Sequence, residues 1–121
     1  MDGSTSEFRV EMTGRVFYIR LPDGSKAYLR YHVDDGKLYL DATYTPDKWR
    51  GRGLAKKLVD YALDYAARNN LKVAPICSYS VRYFIKNPDK KILLADEYRE
   101  MDLERYFEER LRAEQESKEK G

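Results

Sequence analysis

Apolar and polar positions alternate through the first third of the chain. Phe8, Val10 and Met12 are separated by charged residues, and this period of two predicts a half-buried strand. Thr13-Gly14 marks a turn, and residues 16–21 are rich in strand formers. Pro22-Asp23-Gly24-Ser25 is a second turn. Ala27, Leu29, Tyr31 and Val33 then alternate with Tyr28, Arg30 and His32, predicting a strand with the first set inward. Asp34-Asp35-Gly36 suits a tight hairpin that needs positive φ, and a fourth strand runs from about Lys37 to Tyr44. Short turns between these strands predict an antiparallel meander.

At Pro46 the period changes. Leu54, Ala55, Leu58, Val59, Ala62, Leu63, Ala66 and Ala67 repeat at helical spacing, with Lys56, Lys57, Asp60, Asp64 and Arg68 between them. Asn69-Asn70 is a helix stop. Residues 71–77 predict a fifth strand, which a helical crossover sets parallel to the fourth. A short helix over 80–86 ends near Asn87-Pro88, and 91–95 is an apolar run of undecided type. From about Glu97 the chain is charge-dense and helix-favouring. Leu103, Phe107 and Leu111, with Tyr106 beside them, form one stripe, and 114–121 predicts a solvated end. The class expected is α/β of the α+β kind: a lead over 1–7 that is disordered, one domain over 8–90, and a C-terminal helical extension over 91–121.

Composition narrows the function classes. The formal charge is +2, from 23 basic and 21 acidic residues, which gives no support to a broad nucleic-acid surface. No apolar run is long enough for a membrane span, and the N-terminus lacks a signal-peptide core. With Cys77 and His32 the sole members of their types, a protein-ligated transition metal is not expected. A reducing, cytoplasmic setting fits a lone cysteine.

Candidate chemistry concentrates at the strand-to-helix junction. After Thr45-Pro46 the run Arg50-Gly51-Arg52-Gly53-Leu54-Ala55 opens directly into the helix. Glycines allow close backbone approach, and a helix's first turn offers unpaired N–H groups with partial positive charge. Together with two arginines they make an anion cradle suited to a pyrophosphate. A dinucleotide fingerprint would need a third glycine where Lys56 stands, and a P-loop's Gly-Lys-Ser/Thr is absent. The plain alternative is a tight turn with solvated arginines.

This run fits the R-x-x-G-x-[GA] signature and resembles the Gcn5-related N-acetyltransferases. More narrowly, the chain is similar to their small, single-domain YjdJ-type branch, through Thr43, Pro46, residues 50–55, Leu58, Leu71-Lys72-Val73, Pro75, Cys77-Ser78-Tyr79, Tyr83 and Asn87-Pro88. The resemblance covers roughly residues 8–90. It implies a mixed sheet whose fourth and fifth strands splay apart. Acetyl-coenzyme A would lie in the gap, with the pyrophosphate on the amides of residues 50–55. Tyr44 and Thr45 would pair with the pantetheine amides, Ser78 and Asn87 would be further coenzyme contacts, and the thioester would point toward Cys77. The implied activity is direct acetyl transfer to a small-molecule or peptide amine. The alternative is a coenzyme A-binding module with little or no catalysis.

Two catalytic candidates follow. Cys77 ends a predicted strand before a helix start, where a thiol pKa falls, so it could accept acetyl or line the thioester site. The plain alternative is a small buried apolar residue. Tyr83 could protonate the leaving thiolate, with Tyr79 one turn earlier as its rival. Among 11 tyrosines most serve packing. Many members of the small branch carry His-Thr where this chain has Ala42-Thr43, which leaves no general base assigned. Asp41 is expected on the face opposite Ala42 if the strand is regular. His32 is expected to be an ordinary strand histidine, and Asn87 could equally be a helix C-cap.

Overall fold

A computed structural model of the chain describes residues 8–120, with side chains through Ser117. The lead over residues 1–7 lies outside the described residues. Four strands, β1 (Val10–Met12), β2 (Val16–Arg20), β3 (Lys26–Asp34) and β4 (Lys37–Tyr44), form the antiparallel meander. The β3–β4 hairpin turns on Asp35 and Gly36, with φ of 52° and 75°; two positive values match the right-handed strand twist. After a 3-10 turn at Asp47–Trp49, helix α1 (Leu54–Arg68) leads to β5 (Lys72–Pro75), parallel to β4. Asn70, at φ 57°, ends α1, with the Leu71 N–H donating back to the Ala66 carbonyl, so the asparagine stop acts through left-handed geometry.

One face of the sheet carries the core. Phe17, Ile19, Ala27, Leu29, Leu38 and Leu40 are fully buried against Leu58, Val59 and Ala62 of α1. Each of the larger side chains among them contributes roughly 1.5–3 kcal/mol through burial. Phe17 stacks on Tyr31 with ring centres 4.3 Å apart. Val33 departs from its alternation set: at 47% exposure it lies past the reach of α1.

β5 is shorter than expected and α2 (Ser78–Lys86) starts two residues early. Proline ends the ladder because it has no N–H to donate, and Ile76-Cys77 becomes the bend into the helix. The undecided run is a 3-10 turn, Pro88–Leu93, after which Leu94 forms a single bridge to Val73. The C-terminal helix is two pieces, α3 (Asp96–Arg99) and α4 (Leu103–Lys120). They break at Asp102, whose carboxylate accepts the Arg105 N–H and starts α4 afresh. Leu94 and Leu103 belong to the same buried core as the sheet. No described helix is long and apolar enough to cross a membrane.

Candidate active site

β4 and β5 stay paired only as far as Leu40 opposite Pro75. There the Leu40 carbonyl accepts both the Ile76 and the Cys77 N–H, at 3.0 and 2.9 Å. Beyond it β5 bends into α2 while β4 runs on for four residues, Asp41 to Tyr44, without a partner on that side. The gap opens into a cleft of about 630 Å³ lined by Thr43, Tyr44, Thr45, Trp49, Arg50, Gly51, Gly53, Leu54, Ala55, Lys56 and Tyr79. The cradle run, the strand end and the start of α2 therefore meet in one space.

The cradle has the geometry of an anion seat. Gly51 and Gly53 sit at φ 79° and 78°, and Gly53 is the N-cap of α1 with no side-chain cap. The first bond of the helix is from the Lys57 N–H to the Gly53 carbonyl at 3.0 Å, so the Leu54, Ala55 and Lys56 amides precede the ladder. A Cβ at either glycine would meet nothing within 4 Å, so the backbone there is open to approach. The space, the donors and the positive end of the helix dipole fit a pyrophosphate.

The arginines are braced. Arg50 donates from Nε to the Thr45 carbonyl at 3.0 Å and pairs with Asp47. Arg52 lies over the Trp49 ring, 4.8 Å from its centre, and does not line the cleft. Trp49 Nε1 donates to Asp23, whose carboxyl is held well below the usual carboxylate range, first by the Ser25 hydroxyl and amide and then by this indole. The loop is thus anchored to the β2–β3 turn.

Several expected site residues are placed elsewhere. The Ser78 N–H and hydroxyl both donate to Glu114 of α4, at 2.8 and 2.7 Å, so they are already taken; Glu114, the first residue of the stretch expected to be solvated, is thereby docked, while 115–117 are exposed. Asn87 is the C-cap of α2, its side-chain amide donating to the Tyr83 carbonyl at 2.8 Å. The Tyr83 hydroxyl donates to Asp60 of α1 at 2.6 Å, and Tyr83 lines a different hollow, with Asn87 and Lys90. Tyr79, the rival, is the tyrosine of α2 that faces the cleft. Burial, and then the Asp60 carboxylate, push its phenol pKa up, which keeps the proton in place for donation. Cys77 is 3% exposed, and burial pushes its thiol up despite the helix start and the nearby Ser80. That environment argues against a thiolate nucleophile, and Cys77 is a buried residue that is not part of the cleft lining.

β4 is not regular. Arg30 pairs with Ala42 but Tyr31 with Leu40, so Asp41 is an extra residue, a bulge. The bulge turns Asp41 to the face Ala42 shares, where its carboxylate meets His32 Nδ1 at 2.6 Å. This pair, and the anchoring of α4 through Tyr106 to the Pro75 carbonyl and Arg110 to the Ile76 carbonyl, carry no signal in the pattern of the chain. Among the described residues no three His, Cys, Asp or Glu side chains are grouped to hold a metal ion.

Comparison with known proteins agrees with this geometry. Residues 16–93 match the family described as GCN5-related N-acetyl-transferase. Protein NATD1 of Xenopus tropicalis is 38% identical over 92 residues, covering 73% of this chain and 84% of that protein. Protein NATD1 of Homo sapiens is 42% identical over 77 residues, covering 61% and 67%. The solution structure of a GCN5-like protein from Staphylococcus aureus matches with a TM-score of 0.61 at 26% identity, over 74% of this chain and 90% of that one. A splayed strand pair, a glycine cradle on the intervening helix and these relatives lead to one family: the chain belongs to the GCN5-related N-acetyltransferases.

Proposed function

We propose that the protein is an acetyl-coenzyme A-dependent N-acetyltransferase that acts by direct transfer to the amine of a small molecule or peptide. The observation that carries this is the continuity of the cleft from the Gly51/Gly53 cradle along Thr45, Tyr44 and Thr43 to Tyr79. When bound, acetyl-coenzyme A supplies an acetyl group activated as a thioester. The amides of Gly51, Gly53, Leu54 and Ala55 hold its pyrophosphate, and Arg50 and Arg52 add positive field. The unpaired edge of β4 at Tyr44 and Thr45 hydrogen-bonds the pantetheine arm in place of a fifth-strand neighbour. Tyr79, with its proton firmly held, donates to the departing sulfur. Thr43 lines the gap on the β4 side.

Thermal melting with added coenzyme A tests the reading. A ligand at a hundredfold excess over its Kd stabilises by about 2.7 kcal/mol, a shift of several degrees. An unmoved transition at millimolar coenzyme A would sink it. Binding without amine-stimulated thiol release across an amine panel would leave a coenzyme-binding module.

A further inference from the structure

The bulge in β4 sits beside the point where the strands part. Leu40 makes the last bonds to the β5 side, and Asp41 is the next residue. The Asp41 carboxylate, 22% exposed, meets His32 Nδ1 at 2.6 Å, and the ring, 54% exposed, stacks on Tyr39 with centres 4.5 Å apart. The contact with a carboxylate requires the proton on Nδ1, so the neutral ring carries its lone pair on Nε2. A histidine held on two sides, with its second nitrogen unengaged, is a proton acceptor in fixed orientation. Around the same opening Cys77 and Tyr79 hold their protons tightly, and Glu114 is spent on Ser78.

We propose that His32, oriented by Asp41, is the base that takes the proton of the acceptor ammonium on the open face of the sheet. This rests on the acetyl-transfer reading above. The acceptor arrives as R–NH3+ and gives one proton to Nε2, leaving a neutral amine and an imidazolium that discharges to solvent. The nitrogen lone pair forms the C–N bond as the C–S bond breaks with its electrons on sulfur. The nitrogen loses a second proton and the sulfur gains one, so one proton is released per turnover. Asp41 is a positioning residue: it fixes the tautomer and the orientation of the ring.

The charged and titratable groups facing the ring are few. Asp41 and Tyr39 touch it from β4. Arg30 and Asp34 flank it on β3, and Lys37, paired with Glu97, lies beyond Tyr39, where Tyr98 also approaches.

The test uses His32→Gln, Asp41→Asn and the intact chain, with N-α-blocked lysine amide as the amine. His32 is the one histidine in the chain, so its imidazole resonances are assigned without ambiguity. The wild type is expected to show an acid limb in kcat/KM whose midpoint equals the imidazole titration midpoint seen by NMR. Asp41→Asn should lower kcat/KM less than His32→Gln does, with coenzyme A affinity kept. His32→Gln should abolish the limb and lower kcat/KM by about a hundredfold, with coenzyme A affinity and melting temperature kept. A limb that survives His32→Gln, or an imidazole midpoint away from the limb, overturns the assignment. So does a wild type with no amine-stimulated thiol release at any pH. Retained coenzyme A binding would then show that the cradle reading stands and the base assignment alone has failed.

Discussion

Gly53 carries two demands in one residue. Its φ of 78° costs any side-chain-bearing residue about 1–2 kcal/mol, and a Cβ there would stand in open space at a helix start that lines the cleft. Gly53→Ala is therefore expected to lower stability by about that amount and to weaken coenzyme A binding more than the stability loss explains. Calorimetric titration beside denaturant melts separates the two. The tyrosines of α2 divide in the same residue-level way. Tyr79→Phe is expected to reduce turnover with little change in stability, because Tyr79 lines the cleft and its hydroxyl anchors no other element among the described residues. Tyr83→Phe is expected to cost about 1 kcal/mol and leave turnover nearly intact, because its hydroxyl is bonded to Asp60. The opposite outcome in the paired assay would return Tyr83 to the chemistry. Both tyrosines fit the sequence pattern equally well. They lie one turn apart on the same face of α2, and only the packed structure shows that the first turn meets the cleft and the second meets Asp60.

At the scale of elements, α4 matters for what it caps. Glu114 accepts the N–H and hydroxyl of Ser78 at the first turn of α2, where a negative charge also faces the helix dipole. Glu114→Ala is expected to destabilise the fold by about 1–2 kcal/mol, with Glu114→Gln losing less, measured by urea denaturation. The cradle loop has its own brace at Asp23. Its carboxyl titrates below its unfolded value, so its contribution is complete at neutral pH and is lost as pH falls through the folded value. Asp23→Asn is expected to flatten the acid side of the stability–pH profile, followed by thermal melts between neutral and strongly acidic pH. Elements were legible where a single period ran long enough. The alternation of β2 and β3 and the spacing from Leu54 to Ala66 declare themselves without partners. The bulge at Asp41 is a difference in count between two strands, and it exists only once Arg30 and Ala42 are paired. The Ser78–Glu114 contact joins two polar residues 36 apart, and no hydrophobic pattern announces it.

For the whole molecule, the site is a product of topology more than of any one motif. The cradle run stood out because two glycines and two arginines fall together where a strand gives way to a helix. The neighbours that give it depth, Thr43 and Tyr79, come from opposite sides of the β4–β5 gap. The gap exists because Pro75 stops one strand while its partner continues. That mismatch has a consequence for the protein in isolation. From Asp41 to Tyr44 a strand in the interior of the sheet order presents bare N–H and C=O groups, the same template that an outer strand offers to a stray chain. Natural folds shield such borders with charge, proline or a cover, and here the shield would be the ligand. Ligand-free protein is therefore expected to self-associate at high concentration more readily than protein saturated with coenzyme A. Light scattering of the two samples at matched concentration is the check, and equal scattering would mean that this border is already protected by its own recess.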